Sequence, residues 1–167
     1  MAELSEWPAA LAGLPVCPVR DLPIPVSSGR DPDTGAGQFG VNDPLIKLSC
    51  GLTRACGVCG RGLGATIVFL AVDHGADPAT LVFSDPGMHE ACAAASMALC
   101  PFIRHERVPR RAGAESGKPG WLWVASSSYE LVPGEPPALL AFRPAPAIVI
   151  RRYRYADGRL AEIARSG

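Results

Sequence analysis

The chain has 167 residues, room for one domain with extensions, and its 16 Lys+Arg offset 16 Asp+Glu to a net charge of zero. That balance gives no overall case for a nucleic-acid or membrane-surface partner. Hydrophobic residues make up 48%, enough for a buried core, while 18 glycines and 17 prolines favour loops and short strands over long helices.

Residues 1–14 carry Glu3 and Glu6 and no basic stretch, so they do not read as a signal peptide. No run approaches the roughly 20 apolar residues that span a bilayer. A cytoplasmic chain with reduced thiols is the expectation, which favours metal over disulfides for the six cysteines. Residues 5–14 read as a short helix with Trp7 and Leu11 on one side, ended by Pro15. Residues 15–26 are Pro-rich, so they should run extended across the core as an edge strand. Residues 27–43 are polar and Gly-rich and read as a loop. Residues 44–54 fit a helix, with Leu45, Leu48 and Leu52 at helical spacing.

The chain is organised around residues 56–100. Cys56 and Cys59 form a Cys-x-x-Cys turn whose Gly57 and Gly60 permit positive φ, bringing two thiolates to one side of a bend. His89 and Cys92 stand three apart, so on a helix they share a face. Cys56, Cys59, His89 and Cys92 together satisfy zinc's tetrahedral preference, and a closed set of four is the pattern of a structural site. Between the pairs, residues 66–72 read as a buried strand and residues 80–84 as its hairpin partner, with the turn at 73–79. Asp85 as N-cap and Pro86 at the first helical position would start the ligand-bearing helix. The expected unit is a treble-clef-like zinc core of knuckle, β-hairpin and helix. Ordinary buried thiols and disulfides are the competing readings. Cys100 and Cys50 are reserve ligands; Cys17 reads as a core or loop thiol.

Residues 90–99 are Ala-rich, which lets a short helix pack closely, and Pro101 limits it. A basic run follows, then a connector at 112–120. The final third reads as β: a strand from Trp121, a turn at 133–137, strands at 138–142 and 147–155, a turn at Asp157-Gly158, and a last helical turn or two at 160–165. Residues 1–100 hold 5 Lys+Arg against 10 Asp+Glu, and residues 101–167 hold 11 against 6. The basic half therefore offers a possible nucleic-acid surface through Arg104, Arg107, Arg110, Arg111, Arg151, Arg152 and Arg154, with Tyr153 and Tyr155 able to stack. Alternating arginines on a strand are equally its solvated face.

Five short motifs carry a resemblance: Pro23-Ile24-Pro25-Val26, the knuckle from Cys56 to Leu63, His89 to Ala93, Cys100-Pro101-Phe102, and Gly158-Arg159-Leu160-Ala161. Together they resemble a group of uncharacterised actinobacterial and phage proteins, with Ile24 as the departure from a Pro-Val-Pro pattern. The resemblance implies a metal-bound fold and a bacterial or phage source, and it implies no activity.

Enzyme chemistry has one motif to rest on. Val72-Asp73-His74 after a Cys-x-x-Cys knuckle looks like the start of an HNH-type nuclease site, in which His74 would activate water beside a divalent ion. Against it, the chain's one asparagine is Asn42, far upstream, and His74 falls in a turn. No Ser/His/Asp triad is readable, and Gly60 to Gly64 lacks the Lys-Ser/Thr ending of a phosphate loop. The sequence expectation is a single α+β domain: an N-terminal extension over 1–44, a zinc core over 45–104 and a C-terminal β unit over 118–167. Its expected role is a zinc-stabilised, non-enzymatic binding or adaptor protein for nucleic acid or protein, with an HNH-like nuclease as the alternative.

Overall fold

A computed structural model describes residues 9–77, 80–108, 116–136 and 138–163. The fold is α+β. Its centre is a four-stranded antiparallel sheet in the order β12-β11-β8-β5, formed by β5 (Ile67–Val72), β8 (Gly120–Ser126), β11 (Ala147–Ala156) and β12 (Arg159–Glu162). Every residue of β8 is buried. Its Trp-Leu-Trp-Val-Ala run shows no polar alternation because both faces of the sheet are covered, as continuous apolar strands require.

The two faces divide the core. On one, Val68 and Leu70 of β5 and Trp121, Trp123 and Ala125 of β8 pack against Cys92, Ala93 and Ala95 of α2 (Glu90–Leu99). A short helix, α3 (Pro101–Arg104), adds Ile103 to the same cluster. On the other face, Ile67, Phe69 and Val124 pack against Phe83 and Phe142. Phe142 belongs to a separate hairpin of β9 (Tyr129–Pro133) and β10 (Leu140–Pro144). There α1 (Pro44–Thr53) joins it, because the Tyr129 hydroxyl donates to the Gly51 carbonyl at 2.8 Å.

Several sequence expectations change. Residues 80–84 do not pair with β5. The partner of β5 is β8, and Phe83 instead exchanges two backbone hydrogen bonds of 2.8 Å with Phe142. The ligand helix does not start at Asp85-Pro86 but at Glu90, with His89 at the N-cap position. The reason is that the backbone before it is already used: Met88 exchanges bonds of 2.8 and 2.9 Å with Val68, and the Gly87 carbonyl accepts from Gly57 N–H. A Cβ on Gly87 would lie 2.4 Å from Ile67 Cγ2, so this segment presses onto β5 as extended chain. The 160–165 segment is not helical over its described part. Asp157 and Gly158 have φ of 49° and 72°, a primed hairpin turn that returns the chain as β12.

Upstream, the described part of the segment read as a helix over 5–14 holds a 3-10 turn at Ala9–Leu11, while residues 5–8, Trp7 among them, lie outside the described residues. The Pro-rich segment is a short hairpin, β1 (Val16–Cys17) with β2 (Leu22–Pro23), not one edge strand. The loop at 27–43 is a hairpin of β3 (Ser28–Arg30) and β4 (Gly37–Asn42). Its turn is built by Asp31, whose Oδ1 accepts from the backbone N–H of Asp33 and Thr34. The α1 helix is present, but Leu45 and Leu52 are 68% and 66% exposed. Its buried residues are Cys50 and Gly51, the latter within 3.0 Å of Leu131 and Phe142 for any added Cβ. Two further short strands, β6 (Arg107–Val108) and β7 (Ser116–Gly117), pair with each other. No helix among the described residues is long and apolar enough to cross a membrane.

Candidate metal centre

The knuckle follows α1 directly. Arg54 ends that helix with φ of 53°, and the chain then folds back, with the Leu63 N–H donating to the Arg54 carbonyl at 2.8 Å. Inside this loop the Cys56 N–H donates to the Arg61 carbonyl and the Gly60 N–H to the Cys56 carbonyl, at 2.8 and 2.9 Å. Gly60 has φ of 74°, a conformation that only glycine adopts without penalty, and it sets Cys59 on the same side as Cys56. Gly57 serves differently: it lies against Pro86, whose Cβ would stand 3.1 Å from any added side chain.

The second pair comes from the start of α2. His89 is the N-cap residue, and its ring makes no capping bond to the helix. Instead Nδ1 lies 3.4 Å from Cys59 Sγ and 3.9 Å from Cys92 Sγ, while Nε2 lies 2.9 Å from the Gly62 carbonyl oxygen. Because a carbonyl only accepts, Nε2 carries the proton and Nδ1 presents its lone pair to the sulfurs. That arrangement matches the outer-shell contact that orients metal-binding histidines.

The four donor atoms of Cys56, Cys59, His89 and Cys92 all lie within 4.8 Å of one another. Zinc bonds of about 2.3 Å to sulfur and about 2.0 Å to nitrogen put tetrahedral neighbours about 3.5–3.8 Å apart. The two sulfur–nitrogen separations bracket that range, so the donor set fits such an ion. Cys56 and Cys92 are fully buried; Cys59 and His89 are half-buried. Neither Cys50 nor Cys100 belongs to the group, nor does Cys17 in β1.

The electrostatics ask for a cation. Burial first, and then the neighbouring Cys56 and Cys59 sulfurs, push the Cys92 thiol far up. Burial also opposes ionisation of Cys59, but the Arg61 guanidinium and backbone N–H, with the other two thiols, outweigh it and bring Cys59 down to about 6. Three thiolates crowded together cannot all ionise unless a positive charge joins them. Arg61 was not evident from the spacing. It also ties the 3-10 turn to the knuckle, donating to the Ala10 carbonyl at 3.3 Å.

The other residues marked in the sequence lie elsewhere. His74 is exposed just past the end of β5. The preceding Asp73 is fully buried and accepts from two arginines: Arg152 Nη1 at 2.7 and 2.6 Å to its two oxygens, and Arg154 Nη1 at 2.7 Å. Arg151, one pleat away, faces the opposite side and stacks over Trp123 at 5.5 Å. Arg104 and Arg107 follow the α3 side, where the Tyr155 hydroxyl donates to the Ile103 carbonyl at 2.6 Å. Arg110 and Arg111 lie outside the described residues.

Compared with family models, curated proteins and solved structures, the chain finds no match in any of the three.

Proposed function

We propose that the chain is a zinc-stabilised binding protein whose metal is structural. The closed Cys56–Cys59–His89–Cys92 donor set carries this reading. Three sulfurs and one imidazole nitrogen complete a tetrahedron from protein atoms alone, which is the pattern of a structural site rather than a catalytic one. Bound zinc would offset two of the three thiolate charges and fasten the knuckle to α2. The unit is treble-clef-like in its knuckle and ligand helix, with β5 between them in place of a closed hairpin.

The binding surfaces available to a nucleic-acid or protein partner are divided. Arg104, Arg107 and Arg151 belong to the α3 side of the sheet, and Arg152 and Arg154 to the other. Support for binding over HNH-like cleavage comes from Asp73: it is fully buried, and its two oxygens already accept three bonds from Arg152 and Arg154 and one from the Gly75 N–H, which fills the carboxylate's acceptor sites.

Elemental analysis of the purified chain is the test, and one zinc per chain is expected. Cobalt substitution should give the strong visible absorption of a tetrahedral thiolate site. Absence of stoichiometric metal overturns the reading. So does cutting of plasmid DNA with Mg²⁺ or Mn²⁺ that His74→Ala abolishes, which would put the nuclease in its place.

A further inference from the structure

The face of the central sheet away from the metal ends in a charged cluster that the metal-centred reading does not use. Asp73, Arg152 and Arg154 stand at its edge, and Asp73 is fully buried. The two arginines do different work. Arg152 Nη1 donates to both carboxylate oxygens and by itself neutralises the buried charge. Arg154 Nη1 donates to the same Oδ2 and to the Tyr153 carbonyl. The second guanidinium is therefore surplus, and the cluster carries one net positive charge.

Like charges held against one oxygen repel, and this pair is held there deliberately by the backbone. Gly120, directly opposite Arg154 in the ladder, leaves the space through which the arginine passes: a Cβ there would lie 2.5 Å from Arg154 Nη1 and 2.1 Å from the Tyr153 carbonyl oxygen. The Gly75 N–H fixes the far side of the carboxylate at 2.9 Å. The side chains of Arg152 and Arg154 remain 34% and 37% exposed. Among the described residues, the side-chain hydrogen bonds of both arginines run through Nη1, which leaves the Nη2 and Nε donors of two part-exposed guanidiniums for a ligand. Two guanidinium forks pinned by one buried acid form a preorganised receptor for an oxyanion.

We propose that the Asp73–Arg152–Arg154 cluster is a binding site for a single phosphate group. The surplus charge attracts the anion, and the two planar forks match its oxygens in pairs. This site is independent of the metal centre, and the zinc reading can fail without affecting it.

Isothermal titration of the full chain with inorganic phosphate, against chloride at equal ionic strength, tests the proposal. One-to-one saturation is expected. Arg154→Met removes the surplus charge while leaving Asp73 neutralised by Arg152, so it should keep its fold and bind phosphate about tenfold more weakly or worse. Arg154→Lys keeps the charge without the fork and should also weaken binding, which covers the case where the methionine variant fails to fold. No saturation in the unaltered chain, or equal affinity in the lysine variant, overturns the proposal. A short oligothymidylate added in competition separates the sources: displacement of phosphate assigns the site to a nucleic-acid backbone, and no displacement assigns it to a small phosphate.

Discussion

Asp73 shows how a single buried side chain sets a pH dependence. Burial opposes its ionisation, but the Arg152 guanidinium, the Gly75 N–H and Arg154 outweigh that and hold the carboxyl below its usual 3.8. A folded-state value below the unfolded one contributes stability at neutral pH, and that contribution is lost as pH falls through the lowered value. Asp73→Asn should cost about 1–3 kcal/mol at pH 7, with the gap to the parent closing below about pH 4. Urea unfolding at pH 7 and pH 3 measures both; an equal gap at the two values would show that the charge is not responsible. Gly120→Ala is the steric counterpart. Its Cβ meets a backbone oxygen that cannot swing away, so a loss of about 1–3 kcal/mol or more is expected in the same assay. None of this cluster was legible in the sequence. Asp73 and its arginines are 79 and 81 residues apart, and no local pattern links them.

At the scale of elements, two Asp-Pro pairs make the comparison. Asp43-Pro44 begins α1, with Asp43 Oδ1 accepting from the N–H groups of Leu45 and Ile46 at 2.9 and 3.2 Å. Asp85-Pro86 has the same local chemistry and begins no helix. There Asp85 pairs with Lys47 of α1 instead, and the following backbone is committed to β5 and the knuckle. Local propensity offered a start at both sites, and tertiary hydrogen bonds decided between them. Asp43→Ala should therefore lower stability by about 1 kcal/mol, whereas Asp85→Ala removes an ion pair whose carboxylate is half-exposed and should cost less, under about 1 kcal/mol. Thermal melts of the two variants check the difference, and equal shifts would contradict the assignment. The ligand quartet was legible for the opposite reason. Each pair is fixed by spacing within one tight turn or one helix start, so long-range contacts had only to bring two ready-made halves together. The hairpin expected between them was not legible, because the true partner of β5 lies some fifty residues on.

For the molecule as a whole, the candidate metal centre sits beneath one face of the sheet, where Cys56 and Cys92 are part of the same apolar cluster as Trp121 and Trp123. If the centre holds zinc as proposed, removing the ion would leave buried thiols in place of metal-bound thiolates and release the knuckle from α2. Structural zinc contributes about 10–16 kcal/mol in small peptides, comparable with the roughly 5–15 kcal/mol that stabilises a whole domain. Cys59→Ser, or chelation at neutral pH, should therefore abolish the cooperative melt and the near-ultraviolet tryptophan signal together. A Cys59→Ser protein that melts near the parental temperature would make the centre peripheral.

The strand order has a consequence for the chain while it is being made. All four candidate ligands precede β8 in the sequence, so a metal could close the site before β8 has left the ribosome. By then β5 has its α2 cover but not its neighbour, since β8 is not complete until Ser126. In that interval β5 exposes an unpaired edge of apolar residues, the kind of surface on which nascent chains associate. A metal that locks the first half early would hold that edge in place, ready for β8 and correctly aligned. Zinc-depleted expression should accordingly lower the yield of soluble chain by more than the final stability alone would imply.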